Sequence, residues 1–294
     1  MYNQESWINP GEKNIFQKIK LTCANRESQG LPVWRLSIGQ PVGPALISAR
    51  LACSAAVMSE SEEMHSYQDN VSPGVPHFAE DFVQLHLKRN LLPFIETEQI
   101  MHLPIPGIKP MLGQVIAACG SFFRRDGLYV TTMTDPGYST PADQCRYLKA
   151  RHTALETNPE NGFLFDITKI EQGVKLVMAN YPHNPSGQVA SKDFWRKCCE
   201  YCQKNRIALV NDAALAKLAH EESSLLSEVA VDYPKLRWAE LFSASKTIAN
   251  GTGWRIGALV GSKTFLMDIA TIKGNTDSGF FAPAAAGVME ALWS

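Results

Sequence analysis

Short, continuous apolar runs alternate with helical patterns along the chain, and this alternation constrains the fold more than any other feature. The runs are rich in Val, Ile and Leu, as is typical of strands that are covered on both faces. With helices between them, they predict a three-layer α/β/α fold with a mainly parallel central sheet. The predicted strands are 127–134, 174–180, 206–212, 239–245 and 256–262, and the predicted helices are 45–58, 76–92, 108–125, 191–205 and 264–273.

Polar segments rich in small residues, glycine or proline directly follow four of these predicted strands. Their sequences are TDPGYSTP, NYPHNPSGQ, NDAA and SASKT. In open α/β sheets, ligands bind outside the carboxyl ends of the strands. Four polar segments at four such ends therefore predict one site along one edge of the sheet.

Lys246 has unusual neighbours for a lysine at the end of a strand. The small hydroxyl residues Ser243, Ser245 and Thr247 surround it, and Arg255 follows in a glycine-rich stretch. A lysine that forms a Schiff base needs a desolvated pocket and a cofactor carbonyl. Small neighbours leave room for a planar ring, and hydroxyls with an arginine suit a phosphate. The segment therefore favours a cofactor site over a surface cation.

Composition argues against several other classes of protein. The 294 residues carry a net charge of −1, so there is no electrostatic case for binding nucleic acid or an anionic membrane. We expect no secretory signal and no bilayer-spanning segment, because no apolar run is long enough. Cys198, Cys199 and Cys202 lie in an amphipathic helical pattern without a second ligand cluster. We therefore expect reduced thiols, no metal and a cytoplasmic location.

Six short motifs occur in order between residues 36 and 257. They are LSIGQP at 36–41, GIK at 107–109, DPGY at 135–138, NPSG at 184–187, NDAA at 211–214, and SASKT with GWRIG at 243–257. Together they resemble the motifs of class I/II aminotransferases, the fold-type-I enzymes that use pyridoxal phosphate (PLP). The resemblance implies transfer of an amino group between an amino acid and a 2-oxo acid. NPSG alone occurs in many loops, whereas six motifs in order are a strong match.

The resemblance also implies a role for each site residue. Lys246 would hold PLP as a Schiff base and move the proton between the substrate α-carbon and the cofactor. Asp212 would keep the pyridine nitrogen protonated, and Tyr138 would stack on the ring. Asn184 would donate to the phenolic oxygen of the ring and, with Gly39, would bind substrate. The remaining cofactor contacts, mostly to the phosphate, would come from Gly107, Ile108, Lys109, Ser243, Ser245, Arg255 and, across a homodimer, Tyr67 of the partner subunit.

Two features depart from the family pattern. Leu215 stands where the family commonly has a tyrosine that hydrogen-bonds the phenolic oxygen, so one interaction that tunes the pKa at Lys246 is missing. The family also continues into a C-terminal small domain with an arginine for the substrate α-carboxylate, which we expect to be absent here. We therefore expect residues 1–44 to belong to a small domain and residues 45–294 to form the large PLP-binding domain. We also expect that the 294 residues alone turn over amino acids very slowly.

The sequence leaves alternative functions open. A truncated or degenerate PLP-binding homologue with little turnover is consistent with Leu215, whereas the intact Lys246, Asp212, Asn184 and Arg255 favour an enzyme. A related PLP enzyme, such as a decarboxylase, a cyclase or an amino-acid oxidase, could use the same site. A PLP-dependent transcription regulator is not favoured, since no DNA-binding module precedes the motifs and the net charge is near zero.

Overall fold

The chain divides into two compact units, Met1–Pro41 and Val42–Ser294. The computed structural model describes residues 15–37, 39–122, 127–219 and 222–293. In the first unit, helix α1 (Ile15–Ser28) buries no side chain, and Arg35 forms a bidentate ion pair with Glu27. The assignment of residues 1–44 to a small domain stays a prediction.

A seven-stranded sheet forms the centre of the second unit. Its order is β1-β7-β6-β5-β4-β2-β3, and every neighbouring pair is parallel except the two pairs that contain β7. This confirms the mainly parallel sheet expected from the sequence. The strands are β1 (Ile100–Ile105), β2 (Tyr129–Thr132), β3 (Arg151–Ala154), β4 (Leu176–Ala179), β5 (Ala208–Asp212), β6 (Trp238–Ser243) and β7 (Gly257–Ser262).

Helices cover both faces of the sheet. Buried side chains of α6 and α10, such as Met111 and Leu266, fill the core on one face, and those of α4, α8 and α9, such as Phe82 and Trp195, fill the other. The helices of the second unit are α2 (Ile47–Val57), α3 (Glu62–His65), α4 (Phe78–Gln84), α5 (Leu92–Glu96), α6 (Ile108–Phe122), α7 (Thr140–Tyr147), α8 (Lys192–Asn205), α9 (Leu226–Ala230), α10 (Lys263–Gly274) and α11 (Ala282–Trp293). No helix in the described ranges is long and apolar enough to cross a membrane.

One predicted helix and the number of strands need correction. The helix predicted at 76–92 ends at Gln84, because the Gln84 side chain donates to the Arg89 carbonyl oxygen (3.0 Å) and accepts from the Leu91 N–H (3.1 Å), which closes a turn. The sequence also did not predict β1 and β3. The first contains a histidine and a proline, and the second is a short, partly exposed edge strand without an apolar run.

The alternation of side chains along β5 and β6 determines on which face of the sheet each of their last residues lies. Val210 and Leu241 pack in the core under α6. Asp212 and Ser243, two positions further along their strands, therefore face the same layer. Asn211 faces the opposite layer, under α8 and α9. The peptide bonds before Pro136, Pro182 and Pro185 are cis.

Candidate active site

The carboxyl ends of β2, β4, β5 and β6 lie side by side along one edge of the sheet. These four strands are adjacent and parallel. The segments that follow them carry Tyr138, Asn184, Asp212 and Lys246. The topology thus brings to one edge four residues that the motifs singled out.

Asp212 and Lys246 are two ionisable side chains at this edge, and each shifts the pKa of the other. Burial raises the pKa of Asp212 to about 6, while the Ala214 N–H and the Lys246 ammonium lower it. The Ala214 N–H donates to Asp212 Oδ1 at 3.0 Å. Burial lowers the pKa of the Lys246 amine, and the Asp212 carboxylate opposes that shift. The fold therefore places a poorly solvated carboxylate and a poorly solvated amine within electrostatic range of each other.

These two groups fit the polar ends of PLP. Burial outweighs the nearby Lys246 ammonium and raises the pKa of Asp212, so a further cation beside this carboxylate would stabilise its charged form, and a protonated pyridine nitrogen is a cation of suitable size. An amine with a lowered pKa is more often neutral, which is the form that attacks a cofactor carbonyl.

An anion cradle is present at the start of α6. Gly107 has a positive φ of 82°, and a Cβ at this position would overlap the Arg255 guanidinium, with Cζ only 2.9 Å away. Arg255 Nη1 donates to the Thr252 carbonyl oxygen at 2.9 Å. The guanidinium and the positive end of a helix dipole thus lie together, and an anion would neutralise both. Ile108, the first residue of α6, is buried, and Lys109 is exposed.

The hydroxyls around Lys246 organise the loop that carries it. Ser243 Oγ donates to Ser245 Oγ at 2.8 Å, and the Ser245 N–H donates to Ser243 Oγ at 3.1 Å. The Ala244 N–H donates to the Ile256 carbonyl oxygen at 3.0 Å, which ties this loop to the stretch that contains Arg255. The serines therefore both fix the loop and leave little bulk beside the lysine.

Tyr138 lies within electrostatic range of both Asp212 and Arg255. Burial raises its pKa, the Thr140 side chain lowers it, and the charges of Asp212 and Arg255 add smaller shifts of opposite sign. A Cβ on Gly137 would meet the backbone of the preceding turn, with the Cα of Thr134 only 3.0 Å away. The glycine therefore permits the tight turn that brings the phenol ring to the site.

Hydrogen bonds through Asn180, a residue that the motifs did not single out, connect Asn184 to Asp212. Its backbone N–H donates to Asn180 Oδ1 at 3.0 Å, and Asn180 Nδ2 donates to the backbone carbonyl oxygen of Asp212 at 2.8 Å. The only signal for Asn180 in the sequence is its position at the end of a predicted strand, four residues before Asn184.

The structure does not test the predicted roles of Tyr67 and Gly39. Tyr67 is 77% exposed in the segment after α3. Gly39 is exposed and belongs to the first compact unit, so its proposed contact with substrate stays a prediction. Leu215 precedes a short 3-10 turn, and its side chain has no hydrogen-bond donor.

The cysteine trio lies in the core instead of at the site. Cys198, Cys199 and Cys202 are buried in α8, and burial raises the pKa of all three thiols. The described residues contain no group of three or more side chains that could hold a metal ion. These thiols therefore pack as small apolar groups.

Comparison with known proteins places this edge in context. A family model described as aminotransferase class I and II matches residues 32–292. LL-diaminopimelate aminotransferase of Dehalococcoides mccartyi is 30% identical over 271 residues, which cover 90% of this chain and 66% of that protein. The enzyme of the same name from Methanocaldococcus jannaschii is 30% identical over 281 residues, 91% of this chain and 62% of that protein. The chain thus spans less than two thirds of the length of these curated relatives.

Solved structures share the fold. Aspartate aminotransferase from Thermus thermophilus with maleate superposes with a TM-score of 0.76 at 20% identity, covering 96% of this chain and 70% of that one. Aspartate aminotransferase from Rhizobium meliloti gives a TM-score of 0.78 at 21% identity, covering 99% and 71%. At this identity the likeness supports the architecture alone.

Proposed function

Because the chain belongs to the class I and II aminotransferase family, we propose that it is a PLP-dependent aminotransferase that moves an amino group between an amino acid and a 2-oxo acid. Members of this family depend on PLP. The observation that carries the proposal is a partly buried Lys246 within electrostatic range of a buried Asp212 at the carboxyl edge of the sheet.

The residues of the site would hold the cofactor at both ends. Lys246 would bind it covalently, and Asp212 would face its ring nitrogen. The start of α6 at Gly107 and the Arg255 guanidinium would bind the phosphate, and Tyr138 would cover one face of the ring. When bound, PLP supplies an electron sink that stabilises negative charge at the substrate α-carbon.

Lys246 supplies the base in this proposal. Burial lowers the pKa of its amine, so a larger neutral fraction is present near neutral pH than for an exposed lysine. As a general base, this amine would take a proton from the substrate α-carbon and later return it. The carboxylate of Asp212 would face the ring nitrogen of PLP and would favour its protonated form.

Substrate and partner are further parts of the proposal. Several curated relatives carry the name LL-diaminopimelate aminotransferase, so we propose this diamino acid as the first amino donor to test. We also propose a homodimer, in which Tyr67 of the partner subunit completes the phosphate site, because Tyr67 is largely exposed in its own chain. All seven cysteines are free thiols, which supports a reducing, cytoplasmic location.

Cofactor attachment is the direct test. Purified protein mixed with PLP should develop a visible absorption band. Borohydride should remove this band and leave a stable pyridoxyl label on Lys246. Lys263→Ala, which removes a half-buried lysine at the start of α10, is the control and should label normally, whereas Lys246→Ala should not label. Label on another lysine, or no band with PLP in excess, contradicts the proposed site.

Turnover is tested separately. The loaded protein is incubated with LL-diaminopimelate or a common amino acid, each ¹⁵N-labelled at its amino group, and with a 2-oxo acid acceptor. Transfer of ¹⁵N to the acceptor supports an aminotransferase. Label on Lys246 without transfer from any donor would instead support a PLP-binding protein with little turnover.

A further inference from the structure

Asn180 connects three loops of the candidate active site through one side chain and one backbone N–H. It lies directly after β4 and is buried, with 7% of its surface exposed. We infer that Asn180 is a positioning residue that fixes Asn184 and Asp212 relative to each other, and this inference rests on the proposed function.

The Asn180 side chain forms hydrogen bonds with two residues of the candidate active site. Its Oδ1 accepts from the Asn184 N–H at 3.0 Å, and its Nδ2 donates to the Asp212 carbonyl oxygen at 2.8 Å. Its own N–H donates to Met133 Sδ at 3.2 Å, at the base of the turn that leads to Tyr138. One residue therefore determines the spacing between the groups proposed for the phenolic oxygen and the ring nitrogen.

An amide is the side chain that these contacts require. The position needs an acceptor on one side and a donor on the other, and among side chains of this size and shape asparagine offers both. Aspartate keeps the acceptor but places a second oxygen against the Asp212 carbonyl oxygen. Alanine removes both bonds and leaves the buried Asp212 carbonyl and Asn184 N–H without these partners.

Asn211 differs from Asn180 although it stands on the neighbouring strand. Its side chain bonds both backbone groups of Tyr181, at 2.8 and 2.9 Å, and donates to Glu240 Oε1 at 2.7 Å. Glu240 in turn accepts from the backbone N–H groups of Leu226 and Ser227. This set anchors the base of the β4–β5 edge to α9 and contacts none of the side chains proposed for the cofactor. Asn211 therefore holds the strands to α9, whereas Asn180 orients the residues of the candidate active site.

Matched substitutions test the inference. Asn158, which accepts from the Asn161 N–H at 2.9 Å in a 3-10 turn outside the site, provides the control for both loss of a hydrogen bond and gain of a charge. The variants are Asn180→Ala with Asn158→Ala, and Asn180→Asp with Asn158→Asp. For each, the PLP dissociation constant and the pH midpoint of the visible band are measured, together with the unfolding midpoint.

The expected pattern separates an effect on cofactor binding from an effect on the stability of the fold. Both alanine variants should unfold at lower denaturant concentration, but only Asn180→Ala should weaken PLP binding, by about tenfold, as expected for two lost hydrogen bonds. Asn180→Asp should also move the band midpoint to higher pH, because an added carboxylate favours the protonated nitrogen that joins Lys246 to the cofactor. Asn158→Asp should leave that midpoint unchanged.

Several outcomes would overturn the inference. One is PLP affinity and a band midpoint for Asn180→Asp that match those of Asn158→Asp. Another is full additivity of Asn180→Asp with Asp212→Asn in PLP affinity, since residues that act through one another are not additive. If Asn180→Ala does not fold, Asn180→Ser, whose hydroxyl is too short for both bonds, must show weakened binding in its place. A wild-type chain without a visible band would contradict the proposed function instead, whatever the Asn180 variants do.

Discussion

Asp212 carries a carboxylate that the fold has moved out of water before any cofactor is bound. Burial raises its pKa from an ordinary value of 3.8 to about 6. In the unfolded chain this group ionises near its ordinary value, so the folded, cofactor-free protein is destabilised as pH rises from about 4 to about 6. Above that range the full loss is present, on the order of 2–3 kcal/mol, because one pKa unit corresponds to about 1.4 kcal/mol.

Asp212→Asn is therefore expected to stabilise the cofactor-free chain at pH 8 and to have little effect near pH 4. Asparagine keeps an oxygen that can accept from the Ala214 N–H and removes the buried charge. The same variant should bind PLP more weakly, because it lacks the charge that would pair with the ring nitrogen. Urea unfolding of both proteins at the two pH values checks this. Equal destabilisation by the variant at both pH values would contradict it.

The sequence could single out site residues whose side-chain types and motif neighbours suit a cofactor. Lys246, Asp212 and Arg255 stand out because each occurs in a motif at or after the end of a predicted strand, among small residues. Asn180 does not, since its importance comes from bonds to backbone groups that only the folded chain brings near it. The overlap that a Cβ on Gly107 would make with Arg255 is likewise a contact between distant parts of the sequence.

At the scale of elements, Lys273 of α10 holds the segment that presents Tyr67. Lys273 is fully buried, and its Nζ donates to the Asp69 carbonyl oxygen at 2.8 Å and to Asp277 Oδ1 at 2.7 Å. The backbone N–H groups of Gln68 and Asp69 both donate to the Ser278 carbonyl oxygen. The segment is thus fixed at its base while the Tyr67 ring stays exposed.

Lys273→Met should destabilise the chain by about 3–5 kcal/mol, since it leaves the Asp277 carboxylate without its cation. Amide hydrogen exchange should increase in residues 66–72 first. Lys263→Met is the matched control on the same helix, because Lys263 forms an exposed pair with Glu98 and should change stability by about 1 kcal/mol or less. Similar losses for both variants, without faster exchange in 66–72, would show that Lys273 does not hold this segment.

Secondary structure could be predicted where apolar periodicity is strong. The five continuous runs all form strands, because burial on both faces requires apolar residues throughout. The edge strands β1 and β3 escaped detection because a strand with one free edge tolerates polar residues and proline. The early end of α4 depends on the side-chain bonds of Gln84, for which the sequence pattern gives no signal.

At the scale of the molecule, α2 and the turn after it expose a row of apolar side chains. One face of α2 packs on α11, where Gly287 lets the two helices approach closely. Exposed apolar side chains on and beside α2 are Leu46, Ile47, Leu51, Val57 and Met58. A row of this kind is typical of an interface and supports the proposed homodimer.

Leu51→Glu is expected to convert the proposed dimer to a monomer while the chain stays folded. A charge placed in an apolar interface would be desolvated without a partner. Sedimentation of the PLP-loaded protein at micromolar concentration checks this, with Met267→Glu on the exposed side of α10 as the control. A wild-type monomer would contradict the dimer, and a Leu51→Glu dimer would place the interface elsewhere.

The pairing of β1 with β7 has a consequence for how the chain is made. Ile100 pairs with Ser262, so β1 leaves the ribosome long before β7, the strand it pairs with among the described strands, exists. The strands β2 to β6 can assemble with one another in the meantime, whereas β1 keeps unpaired backbone groups until β7 arrives. Completion of the sheet therefore comes late in synthesis, and a nascent chain that stalls before residue 257 presents a free strand to chaperones and to other nascent chains.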